Sequence, residues 1–215
     1  MIIISPSKNM NMLSEDLCNL RSKPEFHEIT KKIIKVMKSL SKKDIKLLMG
    51  ISDKLVEMNF QRFSEFDKPN NISKPAALMF SGDTFNGLSI RTLSPDSLIY
   101  AQKNLRILSG LYGVLKPFDE IQAYRLEMGV NIKTLMNLNL YELWGSTLTN
   151  YFNEHLKLSD NKLLYNLSSN EYFSVLNNRE LNAEIINFDF KKKDKNNNFK
   201  NIGMLIKKMR GLMAK

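Results

Sequence analysis

Between residues 76 and 115 two short apolar runs, AALMF and LYGVL, flank a segment that opens with Ser94-Pro95 and repeats apolar residues at helical spacing as far as Ser109. A serine cap followed by proline at the first helical position starts a helix. The pattern therefore predicts strand, crossover helix, strand. A connection of that length brings the two strands together in parallel, so the chain is expected to be an α/β protein with a mixed sheet on a parallel strand-helix-strand core.

The rest of the chain is read around that core. MIII is a β-branched run closed by Ser5-Pro6-Ser7, which predicts a buried strand ending in a turn. From Pro24, the positions Phe26, Ile29, Ile33, Met37 and Leu40 place one apolar stripe on a helix whose other face carries Lys31, Lys32, Lys35 and Lys38. Ser41 caps KKDIKLLM, Gly50 ends it, and Ser52 caps DKLVEMNFQRFSEF, with Leu55, Met58, Phe63 and Phe66 expected to face inward. This helical subregion, 25–66, is expected as an insertion after the first strand of a single domain, 1–215. Residues 141–156 predict a further helix and KLLYNL a strand, while AEIINFDF and FKNIGMLI are expected to form a hairpin around KKKDKNNN.

The chain carries a formal net charge of +10, which suggests a polyanionic partner. Residues 1–75 hold a net +5, residues 76–190 a net −3 and residues 191–215 a net +8. The excess lies at the two ends of the sequence. No apolar run approaches the roughly 18 residues of a membrane span, and MIIISPSK turns polar too early for a secretory leader. Cys18, the lone cysteine, has no partner for an internal disulfide, in keeping with a reducing compartment. A cytoplasmic monomer without membrane contact is expected.

Ligands of open parallel sheets bind outside the carboxyl ends of the strands, and here each expected strand stops at polar residues. Ser5, Ser7 and Lys8, Ser81 and Asp83, Lys116 and Asp119, and Asn166, Ser168, Asn170 and Glu171 are the groups so placed. Arg106 is read on the crossover helix, with Tyr124 and Arg125 beyond the Lys116 loop. Arginine with tyrosine suits phosphate and base recognition; a structural pair of Arg125 with Glu127 is the equally weighted alternative. Phosphate-loop, dinucleotide, serine-elbow and zinc-helix motifs are absent from the sequence. His27 and His155 have no ligand partner at helical spacing, and neither a metal nor a cofactor is expected. The two helices joined by MGIS have the outline of a helix-hairpin-helix, which holds a DNA phosphate by backbone N–H groups. Lys42, Lys43 and Lys54 are its expected electrostatic support; a plain αα-hairpin with a solvated lysine face is the equally weighted alternative.

In order along the chain, MIIISPSK, LMGISDKLVEMNFQRF, FSGDTFNGL, LRILSGLYGVLKPFDEIQAYRLEMG, LYELWG, NLSSNEYF and KKMRGLMA resemble the YaaA family of bacterial peroxide-stress proteins. The resemblance implies a cytosolic α/β protein that binds duplex and branched DNA without reading sequence. It also implies an indirect link to iron, through limiting iron-driven oxidative damage. Its basic cleft would correspond to Lys8, Arg106, Lys116, Tyr124 and Arg125. Its hairpin would correspond to Gly50, Ile51 and Ser52. Lys207, Lys208 and Arg210 of the basic C-terminal segment are further expected DNA contacts. Family members usually continue past that motif, and a last helix and further strand residues are expected to be missing after Lys215. The competing expectation is an enzyme acting on a nucleotide, nucleobase or nucleic acid in that cleft, with Asp119 or Glu171 as acid or base.

Overall fold

The computed structural model describes residues 1–13, 17, 19–158, 161–193, 195 and 197–215; Cys18 lies outside them. The chain begins with β1 (Ile2–Ile4) and β2 (Asn9–Met10), then three helices, α1 (His27–Ser39), α2 (Lys42–Met49) and α3 (Asp53–Glu65). β3 (Ser73–Pro75), α4 (Ala76–Met79), β4 (Phe80–Ser81), α5 (Asp83–Leu88) and α6 (Pro95–Asn104) follow. Next come β5 (Leu105–Ser109), β6 (Gly113–Leu115), β7 (Glu120–Gln122), α7 (Lys133–Met136) and α8 (Leu140–Lys157). The chain ends with β8 (Leu163–Leu167), α9 (Asn170–Phe173), β9 (Glu184–Asn187), β10 (Lys192–Lys193), β11 (Phe199–Lys200) and α10 (Gly203–Ala214).

The main sheet has the order β6-β5-β1-β8-β9. β1 pairs in parallel with both β5 and β8, β9 pairs in parallel with β8, and β6 alone is antiparallel, on β5. MIII takes the middle because a strand with neighbours on both sides is buried on both faces; Ile3 and Ile4 are fully buried. The fold is therefore α/β with a mixed sheet, as the sequence predicts.

The parallel pairing, however, is not between the two runs that predict it. AALM forms the helical turn α4, and only Phe80 and Ser81 extend, pairing antiparallel with β2. These residues favour helix and include no β-branched side chain. The crossover helix stops at Asn104 instead of Ser109, because LRILS enters the sheet beside β1 with all five residues buried. Arg106 thus lies on a strand, opposite Ile3. Of LYGVL, only the last three residues form a strand, which folds back on β5. The expected hairpin of AEIINFDF with FKNIGMLI is also absent. Its first part is β9 on the parallel edge, the short hairpin joins β10 to β11, and GMLI opens α10.

The helical subregion follows its local signals more closely. Ser41 and Asp44 form a reciprocal capping box at the start of α2, and Gly50 closes it in the left-handed region, at φ 59°. Ser52 precedes α3 without a side-chain capping bond. The inward face of α3 keeps the expected Phe63 and Phe66, with Leu55 half-buried, but Val56 and Asn59 are buried with them and Met58 is exposed. α8 is framed by a second capping box, Asn139 with Glu142. Its Trp144 is fully buried and donates from Nε1 to the Gly110 carbonyl at 3.0 Å. That bond fixes the turn between β5 and β6, from which the 116–129 segment departs.

α10 packs on α5 at a point where two glycines meet. A Cβ on Gly211 would stand 1.9 Å from the Thr84 carbonyl oxygen, and one on Gly87 would stand 2.2 Å from the Lys208 carbonyl oxygen. The crossing depends on glycine at both positions.

Candidate functional site

The carboxyl ends of β1 and β8 open into a cleft of about 360 Å3. Among the parallel strands the chain visits β1 first, then β5 on one side and β8 on the other. The β1–β8 boundary is the point where the strand order reverses, and ligand clefts of open α/β sheets form there. The wall has four sources: the turn after β1, the start of α5, the segment 124–127, and the turn from β8 into α9. Lys207 and Arg210 of α10 complete it.

Local hydrogen bonds hold these turns in place. Ser5 accepts the Ser169 N–H at 2.8 Å and donates its own proton to Ser169 Oγ at 3.2 Å, joining the ends of β1 and β8. Ser7 Oγ accepts the Asn9 N–H at 3.2 Å and donates to the Ser81 carbonyl. Gly82 beside it has φ 126°, a conformation that side chains rarely adopt. After β8, Asn166 Oδ1 accepts from the Ser168 N–H at 3.0 Å and from its hydroxyl at 2.7 Å, which shapes the turn that presents Ser169 and Glu171. Tyr124 is held from behind: its hydroxyl shares a 2.6 Å bond with Ser109, and its N–H donates to Met10 Sδ at 3.3 Å.

The charge of the cleft is organised around Glu127. Lys8 Nζ reaches Glu127 Oε1 at 3.1 Å, and Arg125 reaches the same oxygen from Nε at 3.1 Å and Nη2 at 2.9 Å. Burial pushes the Glu127 carboxyl up, but the hydrogen bonds from Lys8 and Arg125 outweigh it and hold the group below the ordinary carboxylate range. Two cations share one carboxylate oxygen, so positive charge is left over. Arg210 is half-buried, which lowers its pKa, and among the described residues neither it nor Lys207 has a carboxylate partner. Arg62 of α3 is lowered likewise, first by burial and then by the charge of Arg125. Asp83 and Glu171 are the other carboxylates of the wall; Glu171 is exposed, and its Oε1 accepts the Gly129 N–H at 3.3 Å.

The cleft gathers Ser5, Ser7, Lys8, Asp83, Tyr124, Arg125, Glu171, Lys207 and Arg210 from the residues that the sequence nominates. Arg106, Lys116 and Asp119 stand elsewhere. Arg106 is 3% exposed and is spent on the Tyr151 hydroxyl (2.8 Å) and the carbonyls of Gln102 and Leu105. Asp119 is buried, accepting from the Ser22 hydroxyl at 2.6 Å and the Lys116 N–H at 2.8 Å. Burial raises its pKa against those hydrogen bonds. Lys116 points toward Glu25, 3.9 Å away. This second polar group clamps the β6–β7 loop to the segment before α1.

The hairpin holds its charge at the surface. Lys42 pairs with Glu57, and Lys46 with Asp53 at 2.6 Å. Lys43 and Lys54 form no ion pair with a described residue, Gly50 is exposed, and Ile51 is buried. Lys208, one residue from the cleft wall, is exposed. Sequence reasoning overlooks Ser169 and Tyr172 in the wall, and it nominates Lys207 and Arg210 without linking them to the cleft. The glycines at 87 and 211 are the available signal, since unexplained glycines inside helical segments mark close approach.

The sequence profile described as peroxide stress protein YaaA matches residues 1–215. The chain belongs to the YaaA family of peroxide stress proteins. It is 45% identical over 215 residues to a UPF0246 protein of Pseudoalteromonas translucida, covering 99% of this chain and 83% of the relative. A UPF0246 protein of Marinomonas sp. is 43% identical, over 99% of this chain and 82% of its own length. One from Legionella pneumophila strain Corby is 40% identical, over 99% and 84% respectively. Among the described residues no group of three or more His, Cys, Asp or Glu is placed to hold a metal ion. Among the described residues no helix is long and apolar enough to cross a membrane.

Proposed function

We propose that this YaaA-family chain binds duplex or branched DNA without reading its sequence and so limits iron-mediated damage during peroxide stress. Membership of the family supports a role in peroxide stress. The observation that carries the DNA reading is the cationic rim, where Lys8, Arg125, Lys207 and Arg210, from three distant parts of the chain, border one cleft. Lysine and arginine placed this way bind a phosphate backbone by releasing its counterions, and half-buried arginine holds phosphate by directional hydrogen bonds. Arg62, close enough to feel the Arg125 charge, extends the basic surface toward α3. Lys43, Lys54 and the Gly50–Ser52 connection add a second, weaker backbone contact.

Duplex affinity measured across a salt series tests this reading. A linear fall of log affinity with log salt is expected, together with a loss on Lys207→Glu with Arg210→Glu. A flat salt dependence overturns it. One observation favours the enzymatic alternative: Glu171 lines the same cleft as the half-buried hydroxyls of Ser5, Ser7 and Ser169. A nuclease or nucleotide-hydrolysis assay in which Glu171→Gln abolishes turnover but keeps DNA binding would establish it.

A further inference from the structure

The cleft that borders the proposed DNA surface is far smaller than a duplex. Its volume of about 360 Å3 falls within the roughly 300–1,000 Å3 in which proteins enclose one small molecule. The major groove of B-form DNA alone is about 12 Å wide. A duplex can lie across the rim, but only a single unit of it can go in.

The lining is graded in the way such a unit requires. Tyr124, Leu126, Leu167 and Tyr172 are each at least nine-tenths buried and form an apolar floor. Above them are half-buried hydroxyls. Ser5 gives its proton to Ser169, and the Ser169 proton has no acceptor among the described residues. The cations are the outermost groups, from half-buried Arg125 and Arg210 to exposed Lys207 and Lys8. Arg125 commits Nε and Nη2 to Glu127 and leaves Nη1 without a partner among the described residues. An apolar floor, hydroxyls at its edge and a cationic rim match a flat heterocycle that carries a phosphate.

We propose that the cleft binds one nucleoside monophosphate unit, with its base on the Tyr124–Leu126–Leu167–Tyr172 floor and its phosphate on Arg125, Lys207 and Arg210. The unit has two possible sources, a free nucleotide or a nucleotide swung out of a DNA strand. The second rests on the DNA reading above, and swinging a base out costs least where the strand is already unpaired.

The test uses 2-aminopurine as the base in three probes: the nucleoside 5′-monophosphate, the unphosphorylated nucleoside, and a duplex with one 2-aminopurine in a bulge. The monophosphate is expected to bind saturably, at least tenfold tighter than the nucleoside and than inorganic phosphate. Arg125→Ala and, independently, the exposed-site change Lys207→Ala are each expected to weaken it fivefold or more, in proteins whose thermal melts match the parent. A rise in emission when the duplex binds identifies the extruded nucleotide as the source; unchanged emission with monophosphate binding intact identifies the free nucleotide. The proposal is overturned if the monophosphate binds no better than inorganic phosphate, or if both variants bind it as the parent does. Salt-dependent duplex binding without monophosphate binding removes the pocket and leaves the DNA reading; monophosphate binding without duplex binding does the reverse.

Discussion

The cleft and the α2–α3 hairpin are both basic, yet they hold their charge in different ways. In the hairpin, Lys42 and Lys46 lie at the surface and are answered by Glu57 and Asp53, each pair more than half exposed. Such pairs contribute about 0–1 kcal/mol and are screened by salt. In the cleft, Arg125 and Arg210 are half-buried, two cations share one oxygen of Glu127, and Lys207 and Arg210 have no described carboxylate partner. A count of lysines would favour the hairpin, with Lys42, Lys43, Lys46 and Lys54, over the cleft, with Lys8 and Lys207. Desolvation and geometry separate them, because partly buried cations interact more strongly with an incoming phosphate than exposed, paired ones.

The largest test of that difference reverses charge in the cleft. Lys207→Glu with Arg210→Glu is expected to lower duplex affinity by about a hundredfold or more, since each charge-assisted bond contributes on the order of 1.5–3 kcal/mol. Fluorescence anisotropy at one fixed salt concentration reads it. Next comes the glycine crossing. Gly211→Ala forces a methyl group into the Thr84 carbonyl and is expected to cost about 1–3 kcal/mol. It should lower the melting temperature and weaken DNA binding together, because α10 carries the two cations. A variant with unchanged melting and unchanged binding would break the link between the crossing and the cleft.

Glu127→Gln comes third, at about 1–3 kcal/mol, and it has a pH signature. The folded-state pKa of Glu127 is depressed. Its stabilisation is therefore present above the unfolded carboxyl value and lost as pH falls through the folded one. The stability gap between parent and variant should be full above the ordinary carboxyl range of about 4.3 and narrow as pH falls below it, as read by melts across a pH series. The smallest effect belongs to the hairpin: Lys43→Ala with Lys54→Ala is expected to change duplex affinity by less than about fivefold, or about 1 kcal/mol.

Much of the fold is written locally. MIII, the Ser41 cap and Gly50 at the end of α2 each declare an element by composition and spacing alone. What local sequence conceals is decided by pairing. No glycine or proline marks the change from α6 to β5, and LRILS extends because β1 offers it a neighbour in register. Arg106 moves with it, from a supposed cleft residue to a buried strand residue bonded to Tyr151. The cleft is legible in the same partial way. Lys8, Tyr124, Arg125 and Glu171 follow from the rule about strand ends, whereas Ser169 meets Ser5 across 164 residues of chain. Asp119 illustrates the opposite error: a carboxylate at a strand end reads as chemistry until its bonds to Ser22 and the Lys116 N–H show it clamping a loop.

Duplex binding across a salt series, run in parallel for the parent, Lys207→Ala with Arg210→Ala, and Lys43→Ala with Lys54→Ala, tests the central claim most directly. Each phosphate contact contributes about 0.9 to the slope of log affinity against log salt. The cleft pair is expected to reduce that slope by nearly two and the hairpin pair by less than one. Equal slopes for parent and cleft variant, with the loss confined to the hairpin variant, would contradict the account.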